Sequence, residues 1–450
     1  MRVKRVFAEK LFGLFDHSIP LNMDDRVTII HAPNGFGKTA ILRMLDGLFN
    51  SRYGELRAFP FATFGVELQD GRTLRVTKGQ RTKASHRSKG SARENGHLQL
   101  DYDDHPSFDL DGELNRESSH FPLDVIDNMI PSLNRIGPEE WKDEEGYILG
   151  LAEVLRKYRE FLPKGIIKMA EPPDWFRKLE KQVQVRFIRT DRLVPRSGPS
   201  KMSRYERHRH PSPTVTTYSE ELASEIGAML KKYGEVSQAL DRTFPVRLMQ
   251  PSNVPELTKE EIKSRLQELE AKRTRLIESG VLDQERAPSP VPETIDDARA
   301  GMLSVYIRDV AEKLSVFDTL ATKIDLFRSI INRRFRHKRM IIDKERGILF
   351  TTDHNQSLPP ASLSSGEQHE LVLLYELLFK VHEDLLILID EPEISLHVAW
   401  QEQFLRDLLD MARLSGFDIL LATHSPQIIS DRWDLTVELE DIRELQETVR

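Results

Sequence analysis

One stretch of the chain, APNGFGKT beginning at Ala32, has the residue types and spacing of a loop that binds phosphate. Gly35 and Gly37 allow backbone N–H groups to turn toward phosphate oxygens, and the start of a following helix adds partial positive charge. Lys38 can reach the outer phosphates of a nucleotide, and Thr39 can ligate Mg²⁺. Because the stretch lies between an apolar run and a helical pattern, it predicts a P-loop, with Ala32 where G-x-x-x-x-G-K-[ST] has its first glycine. The alternative is a glycine-rich turn between a strand and a helix.

A second stretch, LLILIDE over 385–391, ends an apolar run in two acids. Such a run predicts a buried strand that delivers its carboxylates to the C-terminal edge of a parallel sheet, where α/β proteins bind ligands. Asp390 would hold Mg²⁺ through its ligand shell, and Glu391 would orient and deprotonate an attacking water. The alternative is a strand followed by an acidic helix cap.

Two more stretches could complete such a site. LSSGEQ, over 363–368, opens a helical pattern that runs to Phe379, and its serine and glycine predict an N-cap and an anion site. ATHSP, over 422–426, places His424 at the end of an apolar run, where its ring could contact the γ-phosphate and a water. An ordinary helix cap with Glu367 in its first turn and a structural histidine are the alternatives. The order, context and spacing of all four stretches agree, which favours one joint site.

The elements that must position these residues follow from hydrophobic periodicity. The predicted elements are strands within 1–31, 61–101, 183–188 and 385–390, helices over 38–49, 258–280 and about 294–332, and a hairpin over 340–350. The helix from 258 begins with a capping box, TKEE, and its apolar seam is only about three heptads long. The seam therefore predicts a short antiparallel helical arm.

The four stretches together resemble a known group of ATPases. LSSGEQ resembles the ABC signature, IDEPEISLHVAWQ over 389–401 resembles the Walker B and D-loop segment of the ATPases related to RecF, Rad50 and the overcoming-lysogenization-defect (OLD) proteins, and ATHSP resembles their H-switch. The resemblance covers about 1–50 and 340–430. It implies an α/β fold, an ABC-type P-loop ATPase head split by a helical, short coiled-coil-like insertion. The expected parts are 1–138 with the P-loop and a β-lobe, 139–335 as the mainly helical insertion with a core strand near 183–190, and 336–450 with the other motifs.

The same resemblance implies ATP and Mg²⁺ as cofactors, hydrolysis of ATP to ADP and phosphate, and two heads that enclose two ATP molecules. The residues implied to bind the nucleotide are Asn34, Gly35, Gly37, Lys38, Thr39, Ser365, Gly366 and Gln368. The implied catalytic residues are Lys38, Glu391 and His424, and the implied Mg²⁺ ligands are Thr39 and Asp390. Ser365 and Gly366 of one chain would cap the ATP held by Lys38 of the other. Ser395, Leu396 and His397 would form the D-loop, and Asp191 stands where the Q-loop glutamine is expected.

The composition is that of a chain that folds in water without disulfides. Its 450 residues carry a net charge of −7 and include no cysteine, which excludes disulfides and cysteine metal sites and suits a cytoplasmic location. No apolar run approaches the ~20 residues of a membrane span, so no membrane contact is expected. Basic stretches over 72–93 and 186–210 could contact the phosphates of a nucleic acid, although a charge run is usually a solvated face.

Three functions remain open from the sequence. The leading prediction is an ATP-hydrolysing sensor or scaffold subunit of a bacterial anti-phage defence complex, similar to the stand-alone ATPases of Septu, retron-associated and PARIS systems. ATP-dependent pairing of its heads would control a separate effector such as a nuclease. The first alternative is a RecF-like DNA-repair ATPase that acts directly on DNA. The second is an assembly module that uses ATP only structurally.

Overall fold

The computed structural model describes residues 1–79, 97–103, 105–110, 123–130, 132–138, 140–143, 148–158, 161, 173–188, 214–249, 257–283, 297–394, 396 and 398–439. The chain divides into two compact units. Unit 1 comprises Met1–Arg192, Arg196–Ser203 and Val381–Arg450, and unit 2 comprises Leu193–Pro195 and Arg204–Lys380.

Unit 1 begins with an antiparallel sheet. Its strands are β1 (Val3–Leu11), β2 (Phe15–Pro20), β4 (Thr63–Leu68), β5 (Thr73–Gly79), β6 (His97–Tyr102) and β7 (Phe108–Asp109), in the order β2-β1-β4-β5-β6-β7. Alternate residues are buried, as Leu74 and Val76 illustrate on β5, because one face of the sheet packs on the core. The strands predicted within 61–101 are confirmed, and Asp70 and Gly71 form the turn between β4 and β5.

A parallel sheet forms the centre of unit 1. Its strands are β3 (Val27–His31), β11 (Val185–Ile188), β15 (Leu386–Asp390), β16 (Asp418–Thr423) and β17 (Thr436–Glu438), in the order β11-β15-β16-β3-β17. Every residue of β16 is buried, as expected for a strand that is covered on both faces. The predicted strand over 183–188 is confirmed as β11, which pairs in parallel with β15.

The helices of the same unit include α1 (Lys38–Phe49), α2 (Tyr53–Ala58), α5 (Asp174–Gln182), α11 (Val398–Ser415) and α12 (Pro426–Ile429). The helix α1 matches its predicted bounds and packs against β11, β15 and β16. Ten of its twelve residues are buried, so it lies inside the core rather than on its surface.

A small region of unit 1, which lies between β7 and α5 in the sequence, contains α3 (Leu123–Met129), β8 (Asn134–Gly137), β9 (Glu140–Lys142), β10 (Ile148–Gly150) and α4 (Leu151–Lys157). Its strands pair in the order β10-β9-β8 around the buried ring of Trp141. The helical insertion that was predicted to begin at 139 therefore starts with two strands.

Unit 2 contains the long helices. They are α6 (Thr214–Met249), α7 (Lys259–Glu278), α8 (Asp297–Ser315), α9 (Asp318–Arg334) and α10 (Ser365–Phe379), accompanied by the antiparallel strands β12 (Lys338–Asp343), β13 (Gly347–Thr352) and β14 (Ser357–Leu358). The predicted capping box is confirmed, since Thr258 accepts a hydrogen bond from the Glu261 N–H. The single helix predicted over 294–332 is wrong. Two helices meet at Phe317, whose side chain is fully buried.

The division into units differs from the predicted boundaries at 138 and 335, because buried contacts join 336–380 to the helices. Tyr218 of α6 donates a hydrogen bond to Glu376 of α10 (2.7 Å), and Ser219 bonds the backbone of Ile348 on β13. Arg334 and Glu370 form an ion pair that is almost completely buried. LSSGEQ therefore lies in unit 2, with the helices, and not in unit 1 with the parallel sheet.

Gly347 provides a test of this packing. Its φ is +73°, and a Cβ there would lie 1.8 Å from the carbonyl oxygen of Ser219. We expect Gly347→Ala to lower the free energy of unfolding by at least about 2 kcal/mol, because left-handed strain and overpacking each cost roughly 1–3 kcal/mol. Gly227→Ala, in α6 with no neighbour within 4 Å, is the control and should gain roughly 0.5–1 kcal/mol. Equal urea midpoints for the two variants would contradict the packing described here.

Candidate active site

Three neighbouring parallel strands deliver the predicted catalytic and Mg²⁺-binding residues to one edge of the central sheet. The strand β16 lies between β15 and β3, and its end aligns with theirs, with Asp390 opposite Ala422 and Thr423 opposite His31. The loop that precedes α1, the acids after β15 and the histidine after β16 all leave from these strand ends. The structure thus brings Lys38 together with Glu391 and His424, which lie 353 and 386 residues further along the sequence.

The loop before α1 has the backbone of a phosphate cradle. Gly35 and Gly37 have φ values of +93° and +92°, in the left-handed region, and Gly37 is the N-cap of α1. A Cβ at Gly37 would lie 2.6 Å from Leu11 Cδ2, so only glycine fits without displacement. The helix start has no side-chain cap and no acid in its first turn. Its first N–H groups are therefore available to an anion.

A histidine that the sequence analysis missed supports this loop from β2. His17 Nε2 lies 2.9 Å from the carbonyl oxygen of Phe36, and because a carbonyl only accepts, Nε2 carries the hydrogen. The ring of Phe15 stacks on both Phe36 (5.1 Å) and His17 (5.5 Å). Burial lowers the pKa of His17, which the hydrogen bond to Phe36 partly opposes. A neutral imidazole thus holds the loop.

Lys38 folds back onto the loop that precedes it. Its Nζ donates to the carbonyl oxygens of Ala32 (2.7 Å) and Pro33 (3.0 Å), and the residue is only 5% exposed. Burial lowers the pKa of Lys38, and the carboxylates of Glu391 and Asp390 act in the opposite direction. The ammonium group is thus held beside the acids of β15. Asn34 and Thr39 are exposed at the same loop.

Asp390 and Thr39 have the chemistry of a Mg²⁺ site. Burial raises the pKa of Asp390, whereas its hydrogen bond with the Thr39 hydroxyl and the charge of Lys38 lower it. A hydroxyl and a carboxylate are hard oxygen ligands of the kind that Mg²⁺ prefers, with waters and phosphate oxygens filling the other positions. Within the described part of the chain, no cluster of three or more histidine, aspartate or glutamate residues could hold a metal by itself. The pair therefore fits a Mg²⁺ ion that is bound together with phosphate.

Glu391 leaves the strand in an unusual backbone conformation. Its φ is +43°, and its N–H donates to the carbonyl oxygen of Ala422 on β16 (2.9 Å). The side chain is 28% exposed, and its Oε1 lies 3.8 Å from His424 Nδ1. A strained, hydrogen-bonded backbone of this kind concentrates at functional sites. It fixes where the carboxylate emerges from the sheet.

A third acid, Glu393, which was not predicted as a site residue, contacts His424. Its Oε1 accepts hydrogen bonds from Thr423 Oγ1 (2.7 Å) and from the backbone N–H of His424 (3.1 Å), and it lies 3.2 Å from His424 Nδ1. The only signal in the sequence is the extra acid in IDEPE. No residue spacing could reveal that this acid reaches the neighbouring strand.

The LSSGEQ segment of unit 2 forms the start of α10. Ser364 is its N-cap, in a capping box with Glu367, whose carboxylate also accepts from Lys338 Nζ (2.8 and 2.7 Å). The cap is therefore real, and the anion site stays a prediction. Ser365 and Gly366 are exposed. The amide of Gln368 donates to the carbonyl oxygens of Ala361 and Leu363 (3.1 and 2.8 Å), which is a role in holding the segment.

Several predicted residues lie outside the described chain. These are Asp191, Ser395, His397, 80–93 of the first basic stretch and 189–210 of the second. Leu396 of the predicted D-loop is buried. In the described part of the first basic stretch, Arg72 pairs with Asp70 and Lys78 donates to backbone carbonyls. No described helix is both long enough and apolar enough to cross a membrane.

Comparison with known proteins gives one family match and several distant structures. A family described as "AAA domain, putative AbiEii toxin, Type IV TA system" matches residues 227–430. No match is found among curated proteins.

The matching solved structures include the Smc head domain with an extended coiled coil bound to the C-terminal domain of ScpA from Pyrococcus furiosus (14% identity, TM-score 0.31, 100% of both chains covered). They also include the SMC head domain from Thermotoga maritima (11% identity, TM-score 0.33, 95% of this chain and 91% of that chain covered). These TM-scores are too low to support an argument about this chain. Its fold is identified from its own strand order and loop geometry. The chain is similar over 227–430 to the AAA domain family, and its fold is that of an ABC-type P-loop head with a helical insertion.

Proposed function

We propose that this chain binds ATP with Mg²⁺ and hydrolyses it to ADP and phosphate. The observation that carries the proposal is the meeting of Lys38, Asp390, Glu391 and His424 at the carboxyl ends of three adjacent parallel strands. The first N–H groups of α1 face no side-chain cap, so the same edge has a place for phosphate oxygens. Phosphoryl transfer depends mostly on positioning and on charge stabilisation, and these residues supply both.

Each residue has a distinct role in the proposed reaction. Lys38 would leave its two carbonyl acceptors and bind the outer phosphate oxygens, while Thr39 and Asp390 would hold Mg²⁺. Bound Mg²⁺ would supply positive charge to the phosphates. Glu391 would accept the proton of the attacking water, and His424 would hold the water and the γ-phosphate oxygen. Release of inorganic phosphate that requires Mg²⁺ is the direct test, and no release above a buffer blank would contradict the proposal.

We also propose that two chains act as a pair. Support comes from the exposed Ser365 and Gly366 at the start of α10, which resemble the signature that caps ATP held by a second head. Lys38→Ala and Gly366→Asp should each be inactive alone. Mixed in equal amounts, they should recover about a quarter of wild-type turnover per chain, because half of the two-fold dimers would be mixed and would hold one intact site. Gly366→Ala is the matched control, since a Cβ there meets no atom within 4 Å.

The outcome of mixing separates pairing from a site within one chain. If each chain used its own LSSGEQ segment, both variants would stay inactive after mixing, and the pairing proposal would be rejected. The hydrolysis proposal would be untouched by that result.

The biological role that we propose is a sensor or scaffold subunit of an anti-phage defence complex, with a separate effector such as a nuclease. Support comes from the matched family, whose description names an AbiEii toxin and a Type IV TA system. ATP-dependent pairing would give the chain two states that an effector could distinguish. Cells that express the chain with its neighbouring genes should yield fewer phage plaques, and Lys38→Ala should abolish this protection. Equal plaque counts with and without the genes would reject the role.

Direct action on DNA makes a different prediction. A RecF-like ATPase should hydrolyse ATP faster with DNA present, and this stimulation should fall steeply with salt. Neutralising Arg81, Lys83, Arg87 and Lys89 should then reduce DNA binding.

An assembly module that uses ATP only structurally makes another prediction. Its wild-type rate of ATP hydrolysis should equal that of Lys38→Ala.

A further inference from the structure

Glu393 connects the acids of β15 to the histidine of β16. It lies in a single 3₁₀ turn, Pro392–Ile394, directly after the strand, and its side chain is 9% exposed. Its Oε1 accepts from the Thr423 hydroxyl and from the His424 backbone N–H, and the same oxygen lies 3.2 Å from the ring Nδ1. One carboxylate oxygen therefore contacts both the backbone and the ring of His424.

We propose that Glu393 is a positioning residue for the reaction, acting through His424; this role rests on the proposed ATPase function. A carboxylate oxygen beside Nδ1 favours the tautomer with the hydrogen on Nδ1. The other ring nitrogen, Nε2, is then the one left to bind a phosphate oxygen or a water. Without Glu393, the half-exposed ring would rotate about its side-chain bonds, because Glu391 Oε1 is more distant at 3.8 Å.

A second side chain joins the same two segments. Gln401 of α11 is buried, and its Nε2 donates to the carbonyl oxygens of Glu393 and Leu396 (3.3 Å each). Its Oε1 accepts from the hydroxyl of Ser425 (3.3 Å), directly after His424. The turn after Glu391 and the segment around His424 are therefore held together at two points. A displacement of the turn would carry the histidine with it.

The surroundings of Glu393 indicate that its negative charge serves the reaction and not the stability of the fold. Its second oxygen, Oε2, is buried and makes no hydrogen bond with any described residue. Burying part of a charged group without a partner is unfavourable for folding. Glutamine would accept the same two hydrogen bonds without a charge. What the carboxylate adds is its electrostatic hold on the imidazole ring.

A double-mutant cycle tests this role through the hydrolysis rate. Glu393→Gln should lower kcat roughly 10- to 100-fold, because a displaced catalytic group costs about that much, and should leave KM for ATP near the wild-type value. In a His424→Ala background, the same change should alter kcat by less than about twofold, since the group it positions is absent. Equal fold losses in the two backgrounds would overturn the proposal. Glu402→Gln, on the exposed face of α11, is the control and should match wild type.

Two further comparisons make every outcome informative. Thr423→Val removes a donor to Glu393 while leaving the acid in place, and it should show the same non-additivity with His424→Ala. If Glu393→Gln lowers the melting temperature, a loss of stability could explain its lower kcat. The cycle of Thr423→Val with His424→Ala then decides whether Glu393 acts through His424. If wild type releases no phosphate in a Lys38-dependent manner, the proposed function fails and the positioning role falls with it. If His424→Ala slows hydrolysis and Glu393→Gln multiplies that loss, only the positioning role is overturned.

Discussion

Replacing Glu391 with glutamine is expected to slow ATP hydrolysis by about 10²–10⁴-fold while leaving ATP affinity close to that of wild type. Glutamine has nearly the same shape but cannot accept a proton from water at neutral pH. The backbone N–H that anchors residue 391 to Ala422 is unchanged, so the side chain should emerge in the same place. Single-turnover quench experiments measure the rate, and filter binding measures the affinity.

The same variant reports on pairing. Because it should bind ATP without consuming it, Glu391→Gln is expected to form a dimer in the presence of ATP and Mg²⁺ that light scattering detects. The exposed Glu402→Gln serves as the matched control, since it also replaces one carboxylate of unit 1 by an amide, on the exposed face of α11. A Glu391→Gln protein that hydrolyses ATP at the wild-type rate would remove Glu391 from the mechanism. One that never dimerises with ATP would reject the sandwich of two heads.

Replacing Lys38 with alanine is expected to weaken ATP binding by roughly 10- to 100-fold, the value of one hydrogen bond to a charged group. Turnover should fall by a further ~10²–10³-fold, because a positive charge that stabilises the transferring phosphoryl group is lost. The ammonium of Lys38 lies in the loop, where its two carbonyl acceptors fix its position. Titration calorimetry gives the affinity, and phosphate release gives the rate.

The control for Lys38 is Lys178→Ala, which removes an exposed lysine from α5 in the same unit. It should leave both affinity and turnover unchanged. If Lys38→Ala bound ATP as tightly as this control, the loop would not be the phosphate site. The two variants should differ because Lys38 is buried and its ammonium is oriented by two carbonyl oxygens, whereas Lys178 is exposed to solvent.

Much of the fold could be predicted because its signals are local. The apolar runs of β3, β15 and β16 and the periodicity of α1 each lie within a dozen residues, and each run is followed by residues that we propose to carry the chemistry. The C-terminal ends of parallel strands meet at one sheet edge, so placing the motifs at strand ends also predicted that they would meet. The roles of these residues stay predictions until the variants are measured.

What the sequence could not indicate depends on contacts between distant segments. Ser219 of α6 makes hydrogen bonds with the backbone of Arg346 and Ile348, which lie 127 and 129 residues away in the sequence. Contacts of this kind place the segment that contains LSSGEQ with the helices, and no local sequence pattern predicts them. Glu393 and Gln401 are ordinary polar residues in the sequence, and the pairing of β15 with β16 brings Glu393 to His424 and Gln401 to Ser425. The break at Phe317 was missed because the helical period continues across it, and the burial of its ring, where the two helices meet, has no local signal.

The order of strands in the central sheet has a consequence for how the chain folds during synthesis. Both neighbours of β3 come about 390 residues later, since Val27 pairs beside Ile419 and Ile29 beside Thr436. At ordinary rates of translation, roughly 20–80 s would pass between the synthesis of β3 and that of β16 and β17, and both edges of β3 would be unpaired during this time. Long-range pairing of this kind is slow and leaves strands open to aggregation. A nascent chain that stops short of β16 would therefore be a substrate for chaperones, and the candidate nucleotide site would be among the last parts of the molecule to form.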